Sequence, residues 1–281
     1  MAEIRNGPEE PDRENRPEPT PSDDTGAARE LVEPRSRAEY SADLERHVAL
    51  VSFEPRRARL PDVSIKDATE YLDKHHLERP WLSVARGCPP EVQRLFAALD
   101  QGHGHAHIRH EGWVTEEMNE YRVRNLEDPA QLDPAKRRAS IDGLTAGNVP
   151  HRCGDVASQI TDPTIFAAAF ARGVEHPDVR AALDSNGPRP EPVILPISNV
   201  LGDDGHKFCA GWRLELVNGS MDEARAVRRA WAAGNQSGPE PLARPVETFE
   251  GGTVTFAFRR SAAGGYEVST MYVNPVDEQP T

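Results

Sequence analysis

Residues 102–126 read GHGHAHIRHEGWVTEEMNEYRVRNL, and the rest of the chain is organised around this stretch. The four histidines that it contains within eight positions are His103, His105, His107 and His110. A helix should follow, because Thr115 can cap it with its hydroxyl and the two glutamates after Thr115 suit the positive end of the helix dipole. The stretch therefore predicts a histidine-rich turn that leads directly into a helix.

One residue of this predicted helix has an unusual character for its position. The residues at intervals of four positions are Val114, Met118, Arg122 and Leu126. Arg122 therefore shares one face of the helix with three apolar residues and should point inward. An unpaired guanidinium is costly to remove from water. We therefore expect Arg122 to have an anionic partner, with Glu117 and Asp155 as the available carboxylates.

The composition is that of an acidic chain. The formal net charge is -13 over 281 residues, which disfavours sequence-independent binding to DNA or RNA, because such binding relies on a basic surface. Three widely separated cysteines form no CxxC pair, and this pattern indicates a reducing compartment. No apolar run approaches the roughly 18 residues of a membrane span. We expect a cytoplasmic protein with no membrane partner, which would need a non-classical route for any export.

The chain divides into three segments. Residues 1–38 form an acidic tail rich in proline and poor in large apolar side chains, and we expect this tail to be disordered. Residues 39–100 form a helical lead-in, with helices at 64–75 and 90–99 separated by prolines. Residues 101–281 should form an α+β domain in which helices come first and an antiparallel sheet follows.

Within residues 101–281 the patterns predict individual elements. The helices expected after residue 126 are 163–172, 177–183 and 221–233, the strands are 192–197 and 208–217, and residues 128–150 should be a loop with a short helix near 134–141. The chain should close with a β-hairpin of strands 253–259 and 266–273. Alternation along the second strand of this hairpin predicts one face shared by Tyr266, Val268, Thr270 and Tyr272. The hydroxyls of Thr270 and Tyr272 would then lie about 7 Å apart, a spacing suited to holding one phosphate.

Both ends of residues 102–276 resemble a known bacterial toxin family. The run 105–122 contains a Gly-His pair, a second histidine five positions later, a turn with a threonine and a helix with an arginine. The closing sequence GYEVSTMYVNP carries a threonine and a tyrosine, separated by one residue, before a proline. These motifs are similar to those of the ribonuclease A-like C-terminal toxin domain of contact-dependent growth inhibition effectors.

The resemblance implies a fold, a site and partners. The fold would be the compact α+β one shared by barnase-like, EndoU-like, colicin-like and RelE-like ribonucleases. The catalytic histidine of the family falls on His110, its arginine on Arg122, and its threonine and tyrosine on Thr270 and Tyr272. The resemblance further implies RNA rather than DNA as the substrate, no metal or other cofactor, and an immunity protein as a partner.

These residue types suit cleavage of RNA through its 2′-hydroxyl. The reaction needs an acid-base group that works near neutral pH, a cation for the charge that builds on the phosphorane, and donors that orient the phosphate. His110, Arg122 and the Thr270 and Tyr272 hydroxyls provide such a set. Either His105 or Tyr272 could protonate the leaving oxygen, and the sequence does not choose between them.

Two other classes of function are compatible with the sequence. On an extended segment, His103, His105 and His107 would point to one side and could bind zinc or another divalent ion together with His151 or Cys153, as in a metal-binding protein or hydrolase. The other alternative is a catalytically silent module of the same fold that binds RNA or a partner protein.

Overall fold

The protein is an α+β structure in which helices surround two small antiparallel sheets. The structure is a computed structural model, and it describes residues 53–102, 104–130, 145–146, 149–150, 154–234, 236–262 and 264–276. The acidic tail predicted at residues 1–38 and the short helix predicted at 134–141 lie outside these residues. Among the described helices, none has both the length and the apolar character needed to cross a membrane.

The described α-helices include every helix predicted within the described residues, together with three short ones, at 80–83, 106–109 and 197–201, that were not predicted. They are α1 (Ile65–His75), α2 (Pro80–Ser83), α3 (Pro90–Gln101), α4 (Ala106–Arg109), α5 (Glu116–Asn125), α6 (Pro163–Glu175), α7 (Pro177–Asp184), α8 (Ile197–Leu201) and α9 (Met221–Ala233). The predicted cap of α5 is confirmed, because Thr115 accepts a hydrogen bond from the N–H of Met118. Asp162 caps α6 in the same way and accepts from the N–H groups of Thr164 and Ile165. Local capping chemistry therefore fixes where these helices begin.

The strands form two sheets of three strands and one short ladder. They are β1 (Thr145–Ala146), β2 (Val149–Pro150), β3 (Val156–Ile160), β4 (Val193–Pro196), β5 (Cys209–Leu214), β6 (Ala243–Pro245), β7 (Thr253–Arg260) and β8 (Tyr266–Asn274). The sheet orders are β3-β5-β6 and β4-β7-β8, with every neighbour antiparallel, and β1 pairs with β2. The predicted closing hairpin is confirmed as β7 and β8.

The α+β class is confirmed, but the predicted order of helices before a single sheet is too simple. Strand β3 precedes helices α6 and α7, and β4 and β5 lie in different sheets although they are neighbours among the strands along the chain. Strand β3 was missed because its sequence VASQI combines small, polar and apolar residues without the β-branched or aromatic run that marks a strand. Its partner β5 supplies the pairing that makes it a strand.

One apolar core joins the helical lead-in to the rest of the protein. Phe96 of α3 packs against Phe166 of α6 with ring centroids 5.8 Å apart, and Phe53 packs edge-on against Phe170 at 6.0 Å. The same cluster includes Phe256 and Met271 from the closing hairpin. The described part of the lead-in therefore has no core separate from that of residues 104–276, although the sequence suggested a boundary at residue 100.

Candidate active site

His110 is held in a fixed position between α4 and strand β3. Its backbone N–H donates to the carbonyl oxygen of Ala106, which closes the short helix, and its own carbonyl oxygen accepts from the N–H of Ile160 at 2.9 Å. The ring nitrogen Nδ1 lies 2.9 Å from the carbonyl oxygen of Ser158. His110 is half-buried. The histidine is thus anchored to β3 by both its backbone and its ring.

The contact with Ser158 selects one tautomer of the neutral His110 ring. A carbonyl oxygen can only accept a hydrogen bond, so Nδ1 must carry the proton. In the neutral ring the lone pair therefore lies on Nε2. This arrangement leaves Nε2 as the basic nitrogen, which is the form that a general base requires.

A β-bulge decides which side chains of β8 face His110. Phe258 pairs with Val268, but the preceding residue Ala257 pairs with Thr270, so Ser269 is an extra residue in β8. Val268 lies in the core, and the extra residue reverses the alternation beyond it. The predicted single face for Tyr266, Val268, Thr270 and Tyr272 is therefore wrong: the first two point into the core and the last two lie on the opposite face of β8.

Tyr272 and Thr270 lie on the side of β8 that the histidine segment covers. The Tyr272 ring packs against the His110 ring, with centroids 5.4 Å apart and planes inclined by 36°. Thr270 occupies the same face two residues earlier and is buried. The fold thus brings together residues that are 160 or more positions apart in the sequence.

Arg122 points inward as predicted, but its expected ion pair is absent from the described structure. Its Nη1 donates to the carbonyl oxygen of Arg109, the residue before His110, at 3.1 Å. Asp155 instead pairs with Arg225 and Arg228 of α9. Arg122 is only 4% exposed. The prediction of a carboxylate partner is wrong, because a main-chain carbonyl provides the negative end of a dipole in its place.

The buried polar atoms of this region that have no hydrogen-bond partner among the described residues include two donors, one on Arg122 and one on Thr270. They are Nε of Arg122 and Oγ1 of Thr270. An unsatisfied buried donor costs about 1–3 kcal/mol, so proteins seldom keep one without a reason. Both groups can donate a hydrogen bond to an anion.

His105 lies at the beginning of α4, next to the bulge of β8. Its backbone N–H donates to the carbonyl oxygen of Ser269 at 2.9 Å. The neighbouring Gly104 packs so closely that a β-carbon there would lie 3.2 Å from the carbonyl oxygen of Val268. The histidine segment is therefore fastened to β8 at His105, while the role of the His105 ring as a second acid-base group stays a prediction.

His107 does not belong to a histidine ligand set of the predicted kind. Residues 106–109 are helical rather than extended, and the His107 ring is fully buried with Nε2 3.4 Å from Oδ1 of Asp100. The expected one-sided alternation of imidazoles is therefore wrong at His107. Within the described ranges no three His, Cys, Asp or Glu side chains are grouped closely enough to hold a metal ion. His103, His151 and Cys153 lie outside those ranges.

Asp100 gathers polar side chains from three helices around the start of the site. It accepts hydrogen bonds from the Tyr71 hydroxyl at 2.9 Å, from Trp81 Nε1 at 2.7 Å and from the Arg79 guanidinium. Burial alone would raise the pKa of Asp100, but the hydrogen bond and charge of His107, with the bonds from Trp81 and Tyr71, hold it well below its ordinary range. Because Asp100 lies in α3 and His107 in α4, this network connects α3 to the short helix that ends just before His110.

Glu111, the residue after His110, is a buried carboxyl group that the sequence did not mark. Its Oε2 accepts from the N–H of Trp113 at 3.2 Å, and its Oε1 has no partner among the described residues. Burial, with a smaller contribution from the charge of Asp162, raises the pKa of Glu111 to about 8 against the backbone hydrogen bonds of Trp113 and Gly112. Burial thus favours the neutral, protonated form of Glu111.

Asn119 and Gln159 are further buried polar residues that the sequence did not single out. Asn119 of α5 donates through Nδ2 to Oε1 of Gln159 on β3 at 2.7 Å. The pair lies one helical turn from Arg122 and joins α5 to β3. In the sequence these two amides look like surface residues, and only the contact between distant segments shows that they are a buried pair.

Comparisons of the chain with protein-family models, with curated proteins and with solved structures gave no match.

Proposed function

We propose that the protein is an endoribonuclease that cleaves RNA without a metal ion, by attack of the 2′-hydroxyl on the adjacent phosphate. The observation that carries this proposal is the contact between His110 and Tyr272, in which the His110 ring also has Nδ1 bonded to the Ser158 carbonyl. This contact brings together the two motifs, 105–122 and GYEVSTMYVNP, on which the resemblance to toxin ribonucleases rests.

In this mechanism Nε2 of His110 removes the proton from the 2′-hydroxyl, and the 2′-oxygen attacks phosphorus. The bond from phosphorus to the 5′-oxygen then breaks, and that oxygen takes a proton from His105 or Tyr272. The products are a 2′,3′-cyclic phosphate and a 5′-hydroxyl end. The resemblance assigns Arg122 and Thr270 to the negative charge that develops on the phosphorane. Their partnerless donors are buried, so RNA binding would have to expose them.

The test is cleavage of an RNA oligonucleotide in EDTA by the wild type and by His110→Asn. Asparagine can keep the donor that bonds to the Ser158 carbonyl, but it cannot act as a base, so the fold should survive and the rate should fall by about 10²–10⁴-fold. The matched control is His76→Asn, because Nδ1 of His76 also contacts a main-chain carbonyl, that of Asp73, at 2.9 Å. This control should cleave at the wild-type rate.

The substrate provides a second control. An oligonucleotide with one ribonucleotide among deoxynucleotides should be cut only after that position, and the all-deoxy strand should stay intact. Cleavage that requires an added divalent ion would favour the metal-dependent alternative. No cleavage with or without the ion would favour a binding module of the same fold.

The resemblance extends the proposal to biology. It implies a toxin role in bacteria and an immunity protein that binds this chain, and any export from the cytoplasm would take a non-classical route. Co-expression with candidate binding proteins, scored by protection of cellular RNA, tests that part separately from the cleavage chemistry.

A further inference from the structure

We propose that Ser158 is a positioning residue for His110 and Tyr272, an inference that rests on the proposed function. Ser158 is buried in the middle of β3. Its carbonyl oxygen accepts from Nδ1 of His110, and its hydroxyl donates to the carbonyl oxygen of Val273, the neighbour of Tyr272. One residue thus contacts both the histidine and the strand that carries the tyrosine.

These two contacts complete a closed circuit of hydrogen bonds around the site. The His105 N–H is bonded to Ser269 in the bulge of β8. Helix α4 connects His105 to His110, and His110 is bonded to Ser158. The Ser158 hydroxyl then returns to β8 at Val273. The Ser158 hydroxyl is therefore one of the links that hold His110 in place relative to β8.

The Ser158 hydroxyl is important because it bridges two different sheets. Strand β3 belongs to the sheet β3-β5-β6 and β8 to the sheet β4-β7-β8. On its other side β3 fits tightly against Gly211 of β5, where a β-carbon would lie 2.6 Å from the carbonyl oxygen of Ala157. The position of His110 therefore depends on β3 and that of Tyr272 on β8. The Ser158 hydroxyl keeps these two strands, and so the two rings, in a fixed relative position.

Ser158→Ala tests this inference because it removes the hydroxyl and keeps the carbonyl that anchors His110. We expect kcat for RNA cleavage to fall about tenfold, with KM changed little, because the loss is one of alignment in the transition state. The Tyr272 ring should shift the NMR signals of the His110 ring protons, and Tyr272→Leu shows where these signals lie without that ring. In Ser158→Ala we expect the chemical shifts of the His110 ring protons to move toward their values in Tyr272→Leu. Ser158→Thr, which keeps a hydroxyl, should restore both.

Thr161→Val is the matched control. Thr161 follows the last residue of β3, and its hydroxyl also donates to a main-chain carbonyl, but to that of Phe208, at 3.1 Å, rather than to one on β8. This variant should lose stability, as Ser158→Ala does, while it keeps the wild-type kcat and His110 signals.

The outcomes separate this inference from the proposed function. A Ser158→Ala protein with wild-type kcat, or with unchanged His110 signals, would overturn the positioning role even if the wild type cleaves RNA. A wild type that cleaves no RNA would refute the proposed function. In that case the His110 signals of Ser158→Ala and Thr161→Val would still decide whether Ser158 holds His110 against Tyr272.

Discussion

Glu111→Gln should change how the stability of the protein depends on pH. Glu111 is 0% exposed, and its pKa is about 8 in the folded protein against an ordinary value of 4.5. Between these values the folded protein holds a proton that the unfolded chain has lost. Stability contributed by this group must therefore fall as the pH rises through this range. Glutamine has a similar shape and carries no ionisable proton, so it removes this dependence.

The size of the effect follows from the difference between the two pKa values. Each pH unit across the range changes the free energy of unfolding by about 1.4 kcal/mol. From about pH 5 to about pH 8 the wild type should therefore lose on the order of 4 kcal/mol relative to Glu111→Gln. A constant offset between the two proteins, caused by the buried amide, does not alter this slope.

Urea denaturation at a series of pH values measures the slope directly. The free energy of unfolding of Glu111→Gln, minus that of the wild type, should increase steadily from about pH 5 to about pH 8. Glu78→Gln, on an exposed glutamate, serves as the control and should follow the wild type. Parallel pH profiles for the wild type and Glu111→Gln would show that Glu111 ionises normally in the folded protein and would refute the argument.

Three further substitutions test other parts of the structure. Asp100→Asn should lower the free energy of unfolding by about 3 kcal/mol in urea denaturation, because it leaves the Arg79 guanidinium and the buried His107 ring without their carboxylate. Thr270→Val should unfold at the same urea concentration as the wild type or a higher one, since it removes a hydroxyl with no partner among the described residues, yet RNA cleavage should fall. Gly112→Ala should cost about 1–3 kcal/mol in thermal denaturation, because its β-carbon would lie 2.4 Å from the Thr161 carbonyl oxygen; an unchanged midpoint would contradict that packing.

The helices were predictable wherever short-range chemistry defines them. The Met221–Ala233 helix has the predicted bounds, and the predicted helices at 64–75 and 163–172 match α1 and α6 to within a few residues. Their caps and prolines act within one turn, so the information lies in adjacent residues. Strand β3 could not be found in this way, because its pairing with β5 joins residues about 50 positions apart.

The candidate site was only partly predictable, for the same reason. His110 and Tyr272 stood out by residue type and motif. No sequence pattern indicated that Ser158 anchors His110 and contacts the strand that carries Tyr272. The face of Thr270 depends on a bulge at Ser269, which shifts the register of two strands by one residue. Such a shift has no local signature in the residues that cause it.

The sequence by itself determined the α+β class, the main helices and their caps, the closing hairpin and the residues with suitable chemistry. Only the tertiary structure decided that Arg122 bonds to a carbonyl rather than a carboxylate and that the His107 ring contacts the Asp100 carboxylate. It also decided that His110 meets Tyr272 across the seam between two sheets. Capping and periodicity are short-range, whereas burial and hydrogen-bond partners depend on which distant segments the core brings together.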